Sequence, residues 1–103
     1  MKKFIIKQTT NGYKFDLLAS NGQIILTSEL YTTKEACKKG IESVVHNVEN
    51  IENFERKISK NGKFYFNLKA ENGLIVGTSE LYESEAAREN GIYSVMKNAL
   101  ITE

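Results

Sequence analysis

The chain repeats itself at a fixed offset. Laid without a gap over Phe66 to Ala99, the segment Phe15 to Val48 matches at about half its positions, far above chance, which marks two copies of one supersecondary unit. The matches include Asn21-Gly22 against Asn72-Gly73, Thr27-Ser28-Glu29-Leu30-Tyr31 against Thr78-Ser79-Glu80-Leu81-Tyr82, and Gly40-Ile41 against Gly91-Ile92. One such unit buries little surface by itself and leaves open strand edges. Pairing the copies covers both deficits. The repeat therefore predicts a single domain over 1–103, with repeat one at 1–50 and repeat two at 51–103, a monomer with an internal pseudo-dimer.

Within each unit the apolar period changes from two to helical. Phe15, Leu17 and Ala19 alternate with Lys14, Asp16 and Leu18, and Phe64, Phe66, Leu68 and Ala70 alternate with Lys63, Tyr65, Asn67 and Lys69, as in strands with one buried face. Asn21-Gly22 and Asn72-Gly73 predict two-residue type I′ hairpins, leading into strands over Gln23 to Ser28 and Leu74 to Ser79. An earlier hairpin in each unit is predicted at Asn11-Gly12 and at Asn61-Gly62. The second unit has one extra residue between its two Asn-Gly pairs, and a one-residue slip would turn its apolar set outward. A three-residue loop, Asn61-Gly62-Lys63 with Gly62 in the left-handed region, keeps Phe54 and Ile58 on the face of Phe66 and Ala70.

Helices are predicted from Thr32 or Thr33, where Thr32-Thr33-Lys34-Glu35 fits a capping box, and from Ser84. Ala36, Gly40, Ile41, Val44, Val45 and Val48 follow helical spacing, as do their counterparts from Ala87 to Ala99. Gly40 and Gly91 sit inside these helices, where glycine costs about 0.5 to 1 kcal/mol against alanine, so both predict a helix axis close to the sheet. The fold class is α+β: two tandem β-β-β-α repeats related by a pseudo-twofold, forming one antiparallel sheet with both helices packed on one face.

The strings Asn61-Gly62-Lys63-Phe64-Tyr65-Phe66-Asn67-Leu68-Lys69-Ala70, Thr27-Ser28-Glu29-Leu30-Tyr31 and Gly91-Ile92-Tyr93-Ser94-Val95 closely resemble the YegP-like family, a bacterial group of small proteins of unknown function. The resemblance spans nearly the whole chain. It implies units of three strands, a helix and a further strand exchanged between units. Asn53 to Ser59 would then be both the strand after the first helix and the first strand of the second unit. Only Ile101, Thr102 and Glu103 follow the second helix. The family brings no catalytic residues, cofactor or substrate.

Composition excludes several chemistries. Fourteen basic and thirteen acidic side chains leave a formal charge of +1, without the field that non-specific phosphate binding draws on, so nucleic acid is not the expected partner. Lys38, Lys39 and Glu42, and likewise Glu85, Arg88 and Glu89, read as solvated helix faces. Cys37 is the only cysteine and His46 the only histidine, which rules out an intramolecular disulfide and the usual zinc sets; Cys37 reads as a small core residue. The apolar run Phe4-Ile5-Ile6 is shorter than a signal-peptide core, and no stretch approaches the about 20 apolar residues of a membrane span. A bacterial, cytoplasmic protein with no cofactor and no metal is expected.

Three functions stay open. A non-enzymatic binding or assembly module would use the uncovered sheet face or strand edges. A small-ligand site would form at the pseudo-twofold if Glu29, Tyr31, Glu80 and Tyr82 converge, two carboxylates and two phenols in symmetry-related places. The competing account of those residues has Leu30 and Leu81 packed inward, the tyrosines stapling the helix entry and the glutamates accepting backbone hydrogen bonds. A weak single-stranded nucleic-acid binder would stack bases on Tyr13, Tyr65 and Tyr93. Asn47 and Asn98 read as helix caps, and Ser43 and Ser94 have no neighbouring histidine to activate them.

Overall fold

The computed structural model describes residues 3–100. Six strands and two helices follow in the order β1 (Phe4–Thr9), β2 (Gly12–Leu18), β3 (Ile24–Ser28), α1 (Lys34–Asn47), β4 (Phe54–Ile58), β5 (Phe64–Lys69), β6 (Ile75–Thr78) and α2 (Glu85–Ala99), with a 3-10 turn, Ile51–Asn53, before β4. The strands form one antiparallel sheet of order β1-β2-β3-β6-β5-β4. Its centre is the pairing of β3 with β6, where Thr27 faces Thr78 and Ser28 faces Gly77. The two halves thus share one sheet through their third strands. β1 and β4 remain the outer edges, so pairing the copies seals one edge of each half and not the other.

β4 is both the strand after α1 and the first strand of the second half, paired with β5. Residues 101–103, on which the expectation for the chain after α2 falls, lie outside the described ones.

The core forms where inward strand residues meet the helices. Phe15, Leu17 and Leu26 from the first half join Phe66, Leu68, Ile92 and Val95 from the second in one cluster. Each helix packs on strands of both halves. Cys37 lies in this core with no access to solvent. At the seam a methyl group on Gly77 would stand 2.8 Å from the Leu26 side chain. Leu26 and Gly77 occupy equivalent places in the repeat, so one large side chain fills the space that two could not share.

The turns keep the faces but not the predicted registers. β1 and β2 join through Thr10-Asn11, with Thr9 opposite Gly12, not through Asn11-Gly12. The cause is the backbone of Tyr31, whose N–H and C=O bond Tyr13 at 2.8 and 2.7 Å and lie against Gly12, where a Cβ would collide with the Tyr31 carbonyl. The two predicted type I′ hairpins are three-residue loops instead. The Ala19 N–H donates to Gln23 O and the Ala70 N–H to Leu74 O; only the glycines, Gly22 and Gly73, have positive φ. Asn21 and Asn72 each accept from the backbone N–H two residues on, which stabilises them without the left-handed backbone a type I′ turn demands.

The third-strand hairpins also carry a bulge, and Ile25 and Leu26 are consequently both buried, as are Val76 and Gly77. The loop of the second half is three residues long with Gly62 left-handed, but it is Lys60-Asn61-Gly62, one residue earlier than predicted. Ile58 therefore faces Phe64 rather than Phe66, and is 61% exposed. α1 is capped by Thr33, which accepts from the Ala36 N–H at 3.0 Å, so the capping box on Thr32 is not formed. Ser84 caps α2 as expected.

Candidate functional site

Tyr31 and Tyr82 are placed by a reversal of the expected packing. Both rings turn inward and stack on Phe15 and Phe66, with centroids 6.3 and 6.4 Å apart. Leu30 and Leu81 point out and are 49% and 56% exposed. Each tyrosine is tied by backbone pairing to the second strand of its half, Tyr31 to Tyr13 and Tyr82 to Phe64. Its phenol rests over Gly40 or Gly91, where a Cβ would overlap it. The helix glycines thus make room for a tyrosine rather than for the sheet itself. Burial, with Cys37 and then Glu29 adding to it, pushes the Tyr31 phenol up; burial and then Glu80 do the same for Tyr82. Both phenols therefore stay protonated near neutral pH.

The hydrogen bonds assigned in expectation to the glutamates are made by serines. Ser28 Oγ accepts the Phe15 N–H at 2.9 Å and donates to Glu29 O at 2.7 Å; Ser79 repeats this with Phe66 and Glu80. These buried hydroxyls splice the second and third strands where the ladder ends. The duplicated Thr-Ser-Glu-Leu-Tyr string carries the signal for them in its repeated serine.

The two glutamate–tyrosine pairs sit over different helices. Glu80 and Tyr82 line a cleft of about 740 Å³ between α2 and the β2–β3 hairpin of the other half, together with Gln23, Ile25, Asn90 and Ser94. Ala19, Asn21, Asn90 and Ser94 continue into a neighbouring hollow of about 410 Å³ that ends at Tyr93, Lys97 and Asn98. Glu29 and Tyr31 hold the equivalent place beside α1. There His46 reaches Glu71 at the tip of the β5–β6 hairpin, 3.4 Å away. The asparagines brace the helix ends: Asn47 Nδ2 donates to Ser43 O at 2.8 Å and Asn98 Nδ2 to Ser94 O at 2.8 Å. Asn53 in turn donates to Asn47 O and Oδ1, fixing the chain's entry into β4.

The face away from the helices is a polar row. Registers align Asp16, Thr27, Thr78, Asn67 and Glu55 across five strands, and these bond one another: Thr27 Oγ1 donates to Asp16, Thr78 Oγ1 to Asn67, and Asn67 Nδ2 to Glu55. Lys7 pairs with Asp16 at 2.7 Å and Lys69 with Glu55 at 3.0 Å, holding the Glu55 carboxyl below the usual range, with Asn67 adding to the effect. Of the three tyrosines only Tyr65, two residues from Asn67 on β5 and opposite Lys57, lies on this face; Tyr13 packs on the core and Tyr93 lies on α2. Arg88 is not solvated either. It takes the place of Cys37, is 8% exposed, lies over the Phe64 ring at 5.3 Å and donates to Lys57 O. Glu89 beside it accepts two bonds from Arg56 of β4, at 2.6 and 2.7 Å. Among the described residues no cluster of histidine, cysteine and carboxylate side chains could hold a metal, and no helix is long and apolar enough to cross a membrane.

A tandem-repeat α+β protein with a central β3–β6 seam and a cleft between one half's hairpin and the other half's helix is the class these features define. The model of the domain of unknown function DUF1508 matches residues 9–55 and again 59–103, and the chain belongs to this family. It is 51% identical over 96 residues to a UPF0339 protein of Shewanella oneidensis, covering 93% of this chain and 87% of the relative. It is also 51% identical over 92 residues to the UPF0339 protein YegP of Escherichia coli, covering 89% and 84%. The solution structure of UPF0339 protein SO3888 from Shewanella oneidensis superposes with a TM-score of 0.90 at 49% identity, covering 96% of this chain and 85% of that one. That of yegP from E. coli gives 0.88 at 45%, covering 99% and 90%. The E. coli structure is described as a protein of unknown function.

Proposed function

We propose that the chain is a non-enzymatic binding module whose contact site is the cleft between α2 and the β2–β3 hairpin. What carries this reading is the cleft itself, a concave space of about 740 Å³ at the junction of the halves, within the range of ordinary ligand sites. Its polar groups favour holding over reacting. They are carboxamides, one hydroxyl, one carboxylate and a phenol that stays protonated, and Ser94 Oγ already accepts from Asn98 Nδ2. Of the four glutamate and tyrosine residues, Glu80 and Tyr82 would contact the ligand, while Glu29 and Tyr31 would do so only at the matching place over α1. The neutralised open face favours a small ligand or protein over nucleic acid. A single domain in the bacterial cytoplasm, monomeric and working without cofactor, completes the proposal.

A ligand library screened by amide chemical shifts on the full chain tests it. Shifts should gather at Gln23, Asn90 and Ser94, and Ala87→Trp, which fills the cleft, should abolish them while the remaining spectrum stays in place. Shifts confined to the open sheet face, or surviving Ala87→Trp, would sink the reading. Assembly through the outer strands is the second reading, favoured by Ile5 and Ile58, exposed at 43% and 61% on β1 and β4.

A further inference from the structure

The cleft and the neighbouring hollow form one groove along a single side of α2. Ala87, Asn90, Gly91, Ser94 and Asn98 succeed one another at helical spacing along it, and Glu80 and Lys97 stand at its opposite ends. From residue 87 to residue 98 the helix rises about 16 Å, the length of about five residues of extended chain. We propose that this groove takes an extended peptide segment about five residues long, with a basic residue at Glu80 and an acidic residue or terminal carboxylate at Lys97. The proposal rests on the binding reading given above.

Three features select a peptide. Ala19 and Ala87 floor the groove with small side chains, which lets a backbone approach. Asn90 on the helix and Asn21 on the hairpin line both parts of it. A carboxamide offers both a donor and an acceptor, matched to a peptide C=O and N–H; Asn21 Oδ1 is held by the Gln23 N–H, which leaves its Nδ2 donors for the ligand. The charges at the two ends are opposite, so a segment with opposite ends is recognised in one direction. The copy over α1 departs at these points: Lys39 replaces Asn90, and His46 with Glu71 replaces Lys97 with Ser20, and those two bridge hairpin to helix. The duplication thus leaves one groove adapted to an extended ligand and crosses the other.

Capped pentapeptide pools of the form Lys-X-X-X-Glu and Lys-X-X-X-Lys, titrated into the full chain and followed by amide shifts, test this. The dipolar pool should bind about fivefold more tightly, the scale of one exposed charge pair, with shifts at Asn21, Asn90 and Ser94. Lys97→Glu should invert the preference. Equal binding of both pools, a preference unmoved by Lys97→Glu, or tighter binding of a ten-nucleotide oligo-dT at the same residues would overturn the proposal. If library compounds shift the cleft and neither pool does, the peptide assignment fails and the binding reading stands. If nothing shifts the cleft, both fail.

Discussion

Leu26 and Gly77 show how one position can hold two halves together. Both face the core beside the β3–β6 seam, and the Leu26 side chain fills the space a methyl on Gly77 would need. Leu26→Gly opens a void and Gly77→Leu crowds the leucine, each expected to cost about 1 to 5 kcal/mol. The double variant restores one large and one absent side chain and should melt above either single variant. Additive losses in thermal melts would show that the seam does not work by size matching. Neither residue stood out in the sequence, because a mismatch between copies is visible only once register makes them neighbours. The inward turn of Tyr31 and Tyr82 was hidden for a similar reason. Of two adjacent apolar residues, hydropathy chose Leu30 and Leu81, whereas the open volume above Gly40 and Gly91 admits the rings. The paired helix glycines are the available clue, since a glycine inside a helix marks a close approach without saying whether a strand or a ring makes it.

Strands, helices and their faces were legible in the sequence because period two and period 3.6 report burial directly. Registers were not: Asn-Gly serves loops of two and of three residues, a shift of two residues keeps the same face inward in the first hairpins, and a bulge restores the face in the third-strand hairpins. What decided the matter was one tertiary contact, the Tyr31 backbone at Gly12, and one local one, the asparagine side chains that accept from the backbone two residues on. The outer strand β4 is held to α2 by a further element that spacing did not announce, the pair of Arg56 and Glu89. The Arg56 guanidinium holds the Glu89 carboxyl below its ordinary value. A carboxyl lowered on folding contributes above its unfolded pKa of about 4.3 and loses that contribution as pH falls through the folded value. Arg56→Met should therefore flatten the acid side of the stability curve and bring the Glu89 titration, followed by side-chain carboxyl NMR, back towards 4.3. An unchanged Glu89 titration would show that the pair does not persist in solution. Both side chains are about one-third exposed, so the gain is modest and screened by salt.

The molecule as a whole is two half-cores that have become one. Phe15 and Phe66 belong to the same buried cluster, and α1 and α2 each lean on strands of both halves. No half retains a complete interior of its own, so denaturant unfolding should be a single transition with coincident changes in helix signal and tyrosine fluorescence. Two separated transitions would mean that the repeats fold as independent bodies. The candidate site was half legible at this scale. Glu80 and Tyr82 were singled out from the duplication, but the hairpin residues that complete the cleft come from the other copy, and sequence offset cannot show which copy's hairpin crosses which helix.

The leucine and glycine at the seam also give the duplication a direction. A chain made from two copies of the first repeat would set a pair of leucines against each other at its midline, and one made from two copies of the second would leave a hole there. Once this difference arose, neither repeat could be overwritten by its sibling without damage. The halves are no longer interchangeable parts, and each was then free to acquire a surface that the other lacks.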